Sequence, residues 1–425
     1  MLNTYDITGG AARATFRLHR ALIQNGVDAR MLVARKRSGA DTVITLSNGK
    51  VGHALTTARM IRDRLPVRKY KKAMDRRWGQ FSPARVRNSK LVKTVNAINP
   101  DIVHLCWISD GMLAVEDLVS INAPIVWRMP DMWAFTGGCH YAADEEPGVM
   151  CEKYTGKCGK CAILGSGNDD DLSRRILERK RKIYAGIADM TVIGVSKWLA
   201  DCARKSAVFA DKNIVCLPNP LDTSLFKPAG KKAARAMWNL PDDKKLILFG
   251  AANAAATPYK GCGLLIDALK KISSTNTECV VFGAGEPGEK PGLPHKIRYV
   301  GHLNDDTALA SLYSACDVMV VPSRREAFGQ TASESLACGT PVAAFEVGGL
   351  TDIIDHRING YLARPFDTGD LANGIDWVLN NEKYGELSQK AREKAVGEYD
   401  YDVVAKRYRE LYESCLRQAL ATDGG

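Results

Sequence analysis

Residues 320–349 have the sequence VVPSRREAFGQTASESLACGTPVAAFEVGG, and the order of residue types in this stretch predicts a strand, a turn and a helix. An apolar run comes first, and a polar turn that carries Glu326 follows it. We expect a helix to begin near Gly329 and to carry Glu334. Gly339 and the proline two positions after it are typical of a helix C-terminus. A buried strand followed directly by a helix is the repeating unit of parallel α/β sheets.

Short apolar runs rich in Val and Ile recur along the chain between amphipathic stretches. Within the runs, polar and apolar residues do not alternate, which is typical of strands covered on both faces. We therefore predict an α/β fold built from doubly wound, parallel-sheet, Rossmann-like domains. The predicted strands are residues 30–34, 101–107, 124–129, 190–195, 245–250, 278–283, 317–322 and 341–346, and the predicted helices include residues 11–25, 261–272, 306–315 and 401–420.

The 425 residues are enough for two such domains, and a stretch with three prolines at 216–232 is the predicted linker. We expect an N-terminal domain at residues 1–218, a C-terminal domain at 219–398, and a last helix within 399–425 that packs back on the N-terminal domain. The chain starts almost at its first Gly-rich loop, so we expect the opening strand to be clipped. Ligands of parallel sheets bind beyond the carboxyl ends of the strands, and two facing domains would enclose a cleft.

The two glutamates of the opening stretch suggest a site for a phosphorylated sugar. Glu326 is expected at the carboxyl edge of its strand, and Glu334 inside the helix that follows. A helix N-terminus offers unpaired N–H groups to phosphate, and carboxylates accept hydrogen bonds from sugar hydroxyls. The alternative is that both glutamates are solvated side chains of an ordinary strand–helix unit, because such pairs are common on helices.

The whole segment resembles the signature of the family 4 retaining glycosyltransferases, whose hallmark is two glutamates separated by seven residues. The matching residues are Pro322-Ser323, Glu326, Phe328-Gly329, Glu334, Gly339-Thr340-Pro341-Val342 and Gly348-Gly349. The resemblance extends over essentially the whole chain and implies a GT-B fold, in which the two domains face an interdomain cleft. It implies that residues 1–218 bind the acceptor and residues 219–398 bind a nucleotide sugar, with UDP or GDP as the nucleotide.

By this resemblance Glu326 holds hydroxyls of the donor sugar, Glu334 holds the ribose, and Lys260 neutralises the diphosphate. Gly9 and Gly10 resemble the first Gly-rich loop of the family, where the backbone approaches the ligand closely. The donor-binding residues that the resemblance implies are Gly9, Gly10, Asn253, Lys260, Arg324, Arg325, Glu326, Phe328, Gly329, Gln330 and Glu334. The family uses Lys, Arg and helix dipoles in place of a divalent metal, so no cofactor is expected for catalysis.

The chain departs from the family pattern at two charged positions. The stretch before Lys260 lacks the usual Gly-Arg dipeptide, and we expect Arg324 or Arg325 to supply that charge. Pro130 stands where the family often has an active-site His, which leaves Asp131 or His140 as the substitute. The predicted catalytic residues are therefore Glu326, Lys260 and Asp131.

Four cysteines fall within a Cys-rich insertion at residues 137–167. They are Cys139, Cys151, Cys158 and Cys161, and the last two form a Cys-x-x-Cys pair. Four thiolates can hold a structural zinc ion, whereas packing cysteines or two disulfides are the alternatives. A subset of the family carries a similar Thr-Gly-Gly-Cys-His-Tyr segment, and the resemblance points to the subgroup that makes polysaccharide and lipopolysaccharide.

The net charge of +11 is concentrated in residues 59–90, which hold twelve basic and two acidic residues. A basic segment interleaved with aromatic and aliphatic residues suggests an anionic membrane surface, and a solvated helical face is the alternative. We expect no nucleic-acid partner, no spanning helix and no export signal, hence a cytoplasmic enzyme peripheral to the inner face of the plasma membrane. The expected acceptor is a glycan or lipid-linked glycan. The competing functions are a sugar-nucleotide epimerase of similar fold and a basic, zinc-stabilised RNA-binding protein.

Overall fold

The computed structural model divides the chain into two compact units. Unit 1 comprises Met1–Pro220 together with Val404–Gly425, and unit 2 comprises Leu221–Val403. The structure describes residues 1–70, 80–143, 149–250, 258–287, 292–303 and 305–423.

In the described part of unit 1, seven parallel strands form one sheet in the order β3-β2-β1-β4-β5-β6-β7. The strands are β1 (Leu2–Tyr5), β2 (Met31–Arg35), β3 (Val43–Thr45), β4 (Val103–Leu105), β5 (Ile125–Met129), β6 (Met190–Gly194) and β7 (Asn213–Cys216). The chain first builds outward from β1 to β3 and then continues from β4 in the opposite direction. The gap between β1 and β4 is therefore the topological switch point, where open parallel sheets bind ligands.

Helices connect the strands of this sheet, and several of them bury an apolar stripe. The helices are α1 (Gly10–Gln24), α2 (Gly49–Arg64), α3 (Ser89–Ile98), α4 (Leu172–Ala185), α5 (Lys197–Arg204) and α13 (Tyr401–Asp423). In α1, Leu18 and Leu22 lie one turn apart and pack with Val404 and Tyr408 of α13 in one buried cluster. The C-terminal helix thus contributes to the core of unit 1.

Unit 2 contains a second parallel sheet, whose described strands have the order β10-β9-β8-β11-β12-β13. The strands are β8 (Lys245–Gly250), β9 (Thr277–Phe282), β10 (Lys296–Gly301), β11 (Val318–Val321), β12 (Val342–Phe345) and β13 (Gly360–Ala363). The helices are α6 (Lys231–Met237), α7 (Cys262–Leu269), α8 (Asp306–Ala315), α9 (Gln330–Ala337), α10 (Leu350–Ile353), α11 (Thr368–Leu379) and α12 (Tyr384–Tyr399). Here the switch point lies between β8 and β11.

The fold class predicted from the sequence is confirmed, since both units are parallel α/β sheets. The expectation that the opening strand is clipped stays a prediction. Leu2–Tyr5 form β1, which pairs with β2 on one side and with β4 on the other at the middle of the sheet. The strand has only four residues and an Asn-Thr centre, and it therefore lacks the Val/Ile run on which the other predictions rested.

Candidate functional site

A lysine and a glutamate meet at the switch point of unit 2. Lys260 ends a short 3-10 turn (Pro258–Lys260) in the connection after β8, and Glu326 lies in the turn after β11. The Nζ atom of Lys260 donates a hydrogen bond of 2.8 Å to Oε2 of Glu326. Two residues that are 66 positions apart in the sequence therefore form one charged pair at the carboxyl edge of the sheet.

Tight backbone contacts hold these two loops against each other. The amide of Arg324 donates to the carbonyl of Tyr259 at 2.8 Å. Gly261 has φ of +72°, and a Cβ atom there would lie 1.8 Å from the carbonyl oxygen of Pro322. Only glycine permits this approach, so Gly261 fixes the separation of the Lys260 loop from the Glu326 loop.

Glu326 is also oriented by its own neighbours. Its Oε2 accepts a hydrogen bond from Ser323 Oγ at 3.1 Å, and its carbonyl accepts one from the Gly349 amide at 2.8 Å. A Cβ atom on Gly348 would lie 2.1 Å from that same carbonyl oxygen. The Gly-Gly dipeptide is thus required for the close passage of the chain beneath Glu326.

The pair is only partly withdrawn from solvent. The Lys260 side chain is 36% exposed and the Glu326 side chain is 14% exposed. Burial disfavours the lysine charge, but the carboxylate of Glu326 outweighs that effect and leaves the pKa of Lys260 above its ordinary value. The lysine is therefore cationic at neutral pH, and an anion arriving from solvent can reach it.

The helix α9 begins directly after this turn and presents its N-terminus to the same edge. Gly329 precedes the helix with φ of +109°, and no side chain caps the helix there. Gln330 is the first helical residue, and Phe328 is buried against the ring of Tyr399 with a centroid separation of 5.6 Å. The amide of Ala332 in the first turn of α9 donates to the Gly329 carbonyl at 3.0 Å. The partial positive charge of a helix N-terminus is suited to a phosphate or sugar oxygen.

Glu334 lies inside α9 and is 5% exposed. Its Oε2 accepts a hydrogen bond of 2.8 Å from the hydroxyl of Tyr313. Thr340 Oγ1 donates to the carbonyl of Tyr313 at 2.7 Å, which fixes the tyrosine in turn. Glu334 is therefore a buried carboxylate held by hydrogen bonds. The alternative that both glutamates are solvated side chains fits neither residue, since the Glu326 side chain is only 14% exposed.

Of the other residues predicted to bind the donor, the structure describes Arg324 and Arg325 but not Asn253. The guanidinium of Arg324 stands 5.2 Å from the ring centroid of Phe366, and Arg325 is partly buried. Asn253 lies outside the described residues. In unit 1, Gly9 precedes α1 with φ of +89°, and a Cβ atom built on it would meet nothing within 4 Å, so the approach to the Gly10 end of α1 is open.

The switch point of unit 1 carries a polar and aromatic group of residues that sequence reasoning found only in part. Asp131, which follows β5, accepts a hydrogen bond from Trp107 Nε1 at 3.2 Å, and its Oδ2 lies 2.7 Å from His140 Nδ1. His140 Nε2 is 2.9 Å from Ser82 Oγ. The two proposed substitutes for the missing His, Asp131 and His140, are thus direct partners. The ring of Trp107 lies 6.0 Å from that of Tyr5. Sequence patterns gave no signal for Ser82, Tyr5 or Trp107.

The four cysteines of the insertion line a single pocket. Burial, followed by the nearby thiols of the other three cysteines, raises the pKa of Cys139 well above its usual value. As the side chains stand, no group of three or more His, Cys, Asp or Glu residues in the described part of the chain is placed to hold a metal ion. The four cysteines therefore line one pocket without a disulfide between them, and the zinc ion stays a prediction.

Part of the basic segment is held by internal contacts. Arg59 donates to the carbonyls of Val86, Arg87 and Gly111, and Arg64 pairs with Asp110 at 2.8 Å. The exposed residues around them include Arg62, Leu55, Ile61, Leu65, Arg68 and Lys69. Residues 71–79 of the segment lie outside the described residues. Within the described parts of the chain, no helix is long and apolar enough to cross a membrane.

The chain is similar in sequence and in architecture to known proteins. Residues 230–396 match the family described as glycosyl transferases group 1. A D-inositol 3-phosphate glycosyltransferase of Saccharomonospora viridis is 30% identical over 321 residues, which cover 68% of this chain and 70% of that protein. The chain belongs to the group 1 glycosyltransferases.

An uncharacterized glycosyltransferase of Methanocaldococcus jannaschii is 36% identical to this group 1 glycosyltransferase over 191 residues. Those residues cover 43% of this chain, and the match spans about half of that relative, 48% of its length. The structure of Anabaena HepE in complex with UDP-glucose superposes with a TM-score of 0.63 at 18% identity, over 97% of this chain and 98% of that one. The likeness to that structure supports the GT-B fold. The prediction of a glycosyltransferase is confirmed, and a non-enzymatic RNA-binding protein is excluded.

Proposed function

We propose that this group 1 glycosyltransferase moves a hexose, with retention of configuration, from a nucleoside diphosphate sugar to a glycan or lipid-linked glycan. The observation that carries the proposal is the ion pair of Lys260 and Glu326 at the switch point of unit 2. It stands beside the uncapped N-terminus of α9. A cation, a carboxylate and a helix N-terminus at one sheet edge match the diphosphate and the hydroxyls of an activated sugar.

The donor is expected to exchange partners with this ion pair. In the chain alone, Lys260 and Glu326 neutralise each other across 2.8 Å. When a diphosphate arrives, the lysine turns to the phosphate oxygens, and the carboxylate then accepts hydrogen bonds from sugar hydroxyls. The exchange lets the site bind an anion without leaving an unpaired charge in either state, because each ionised group keeps a partner.

Catalysis in this proposal rests on charge neutralisation and orientation. The diphosphate is a good leaving group, and negative charge grows on its bridging oxygen as the bond to the sugar breaks. Lys260 and the α9 amides stabilise that charge where it develops. The departing phosphate oxygen itself accepts the proton of the acceptor hydroxyl, so we assign no side chain as the catalytic base. Glu334, held by Tyr313, is proposed to bind the ribose.

The setting of the reaction is proposed to be the synthesis of cell-surface polysaccharide or lipopolysaccharide. The exposed face around Arg62, Arg68 and Leu65 combines cationic and apolar side chains, which suits an anionic membrane that carries a lipid-linked acceptor. We propose that the enzyme is cytoplasmic and binds this surface peripherally. Liposome sedimentation with anionic and with neutral vesicles tests this part, since binding that is equal for both vesicle types contradicts it.

The central test separates a transferase from an epimerase of similar fold. The protein is incubated with UDP-glucose, UDP-galactose, UDP-N-acetylglucosamine or GDP-mannose, first without any acceptor and then with bacterial lipid extract. Release of the nucleoside diphosphate that depends on the extract, with the sugar recovered in the extract, supports the proposal. Interconversion of nucleotide sugars without extract, or no change in thermal stability with any nucleotide, contradicts it.

A further inference from the structure

We propose that the pocket inside the Cys-rich insertion is a closed zinc site, ligated by four thiolates and balanced by a buried lysine. The four thiols belong to Cys139, Cys151, Cys158 and Cys161, and the lysine is Lys180 of α4. The site takes no part in the proposed sugar transfer, and its test does not depend on that function. Its role is to hold the insertion and the loop after β5 in one conformation.

The size and the lining of the pocket suit a single ion. All four cysteines line it, and its volume is about 20 Å³. Sites for small organic molecules are on the order of 300–1,000 Å³, so this pocket admits an ion and no organic ligand. Each of the four thiols also lies within electrostatic range of the other three. Four soft sulfur ligands favour zinc and leave no coordination position open for water or substrate.

Backbone amides face two of the sulfur atoms. The amide of Gly137 faces the thiol of Cys158. The amides of Ile163 and Leu164 face the thiol of Cys161, which precedes them closely in the chain. Burial raises the pKa of both thiols, and these amides oppose the rise because they favour the anionic sulfur. Such donors add little to a neutral core cysteine, whereas they stabilise the thiolate that a metal ion binds.

The turn between Cys158 and Cys161 is tight and held by a lysine. Gly159 and Lys160 both have positive φ, of +137° and +43°. The Nζ atom of Lys153 donates to the carbonyls of these two residues, at 3.3 and 2.9 Å. A left-handed backbone at a lysine is strained and persists only where its surroundings hold it, which is typical of functional sites. The turn is therefore clamped in the form that presents both thiols to the pocket.

Lys180 ties α4 to the segment that leads from β5 to the first cysteine. The side chain is fully buried, and its Nζ donates to the carbonyls of Trp133 and Thr136. The same Nζ atom lies 3.9 Å from the centroid of the Trp133 ring. Thr136 Oγ1 in turn donates to the carbonyl of Cys139 at 2.6 Å. The ammonium is thus fixed beside the thiol pocket by neutral partners.

The charge of Lys180 fits a metal-bound cluster better than free thiols. Among the groups that attract its ammonium, Cys139 comes first and Cys158 second, ahead of Asp131. A zinc ion with four thiolates is an anion, whereas four protonated thiols are neutral. A buried ammonium is costly without a counter-charge, and backbone carbonyls do not supply one. The anionic cluster would supply it.

Binding requires the thiols to turn inward. As the side chains stand, the residues that the structure describes offer no ready group of three metal ligands. The four thiols nevertheless line the same pocket, and a cysteine side chain turns about one bond. The thiols release their protons to solvent when the ion binds. The other states of the cluster are two disulfides or four packed thiols, and the experiment has an outcome for each.

The experiment uses the full chain, purified under reducing conditions without chelator. Elemental analysis measures zinc, competition with a zinc chelator measures affinity, and the visible spectrum after exchange with Co²⁺ reports tetrahedral thiolate ligation. The control is Cys262→Ser, which changes a partly buried cysteine of unit 2. The test variants are Cys139→Ser, Cys151→Ser, Cys158→Ser, Cys161→Ser, Lys180→Met and Lys180→Gln.

We expect about one zinc ion per chain and a cobalt spectrum of four thiolate ligands. Each serine variant of the pocket should lose most of the zinc, and Cys262→Ser should keep it. Lys180→Met and Lys180→Gln should weaken zinc affinity about 10- to 100-fold, the usual loss for a residue that supports metal ligands. Because glutamine can still donate to the two carbonyls, the loss in Lys180→Gln assigns the effect to the charge.

Two results overturn the site. One is a purified wild type without zinc, in which titration of the unfolded chain distinguishes packed cysteines from disulfides. All twelve thiols then react if the cysteines are only packed, and eight react if four are oxidised. The other is an unchanged zinc content in every serine variant of the pocket. Equal zinc affinity in the wild type and in folded Lys180→Gln refutes the counter-charge. Nucleotide-sugar turnover is measured separately, so none of these results is confused with failure of the proposed function.

Discussion

The exchange of partners at Lys260 predicts opposite effects for two substitutions that remove one charge each. Lys260→Met deletes the cation that the diphosphate is expected to meet. Loss of a hydrogen bond to a charged group costs about 1.5–3 kcal/mol, which corresponds to roughly a 10- to 150-fold weaker Kd for the nucleoside diphosphate. Glu326→Gln instead removes the charge that neutralises the lysine. Affinity for the diphosphate should then be unchanged or increased, while sugar transfer falls about 100-fold or more.

Neither variant should unfold the protein. The Lys260 side chain is 36% exposed, so solvent screens much of its attraction to Glu326. In Lys260→Met the carboxylate keeps the hydrogen bond from Ser323 at 3.1 Å. We therefore expect a loss of about 1 kcal/mol or less in the free energy of unfolding, small enough for binding to be measured on folded protein.

Isothermal titration calorimetry with UDP and with GDP, at low and high salt, measures the effect on binding. Lys271→Met is the matched control, since Lys271 is an exposed lysine of the same unit that contacts Thr368. The weaker binding of Lys260→Met should come with a smaller salt dependence, because one ionic contact is lost. Equal weakening of diphosphate binding in Lys260→Met and Glu326→Gln would refute the exchange of partners.

Three further outcomes are expected. Glu334→Ala should weaken nucleotide binding and, because it leaves the buried Tyr313 hydroxyl without its acceptor, lower the free energy of unfolding by about 1–3 kcal/mol, measured by urea denaturation; unaltered nucleotide affinity counts against the ribose role. Protein purified without chelator should contain about one zinc ion per chain by elemental analysis. The double variant Cys158→Ser, Cys161→Ser should contain no zinc, and a wild-type protein without metal contradicts the prediction. Burial lowers the pKa of His19 to about 4, so between pH 6.5 and 4 the unfolded chain binds a proton that the folded chain does not. The free energy of unfolding should therefore fall by about 3 kcal/mol as the pH drops from 6.5 to 4. An equal fall in His19→Gln contradicts this prediction.

Local patterns predicted the part of the site that lies within one strand–turn–helix unit. The helix expected near Gly329 begins at Gln330, and Glu326 lies in the turn before it. Lys260, the partner of Glu326, was identified through the family resemblance. Residue spacing could not identify it, because Lys260 belongs to another connection of the sheet. Strand β13 (Gly360–Ala363) was missed since its sequence GYLA has no Val or Ile run that separates it from a loop.

Buried polar groups mark the limit of pattern analysis in unit 1. Helix α4 has the sequence LSRRILERKRKIYA, and its many basic residues suggest that the charged side chains are exposed to solvent. Lys180 is nevertheless fully buried, and its Nζ donates to the carbonyls of Trp133 and Thr136. The spacing of Ile176, Lys180 and Tyr184, one turn apart each, places the lysine on the apolar stripe and is the signal that could have found it. By contrast, the hydrogen bonds of Ser82 and Trp107 join segments distant in sequence, which no local period encodes.

Sheet topology explains why functional groups gather at two places in this chain. At a switch point, the connections that leave two neighbouring strands turn to opposite faces of the sheet, which opens a gap at the carboxyl edge that side chains can fill. Unit 2 fills its gap with Lys260 and Glu326, and unit 1 fills its own with Tyr5, Trp107 and, one strand further along, Asp131. The first gap carries an ion pair, whereas the second carries two partly exposed aromatic rings and a buried, hydrogen-bonded carboxylate. The difference in chemistry between two gaps of equal topology therefore implies different ligands for the two units, which is why we expect substitutions at Trp107 to leave the affinity for free UDP unchanged.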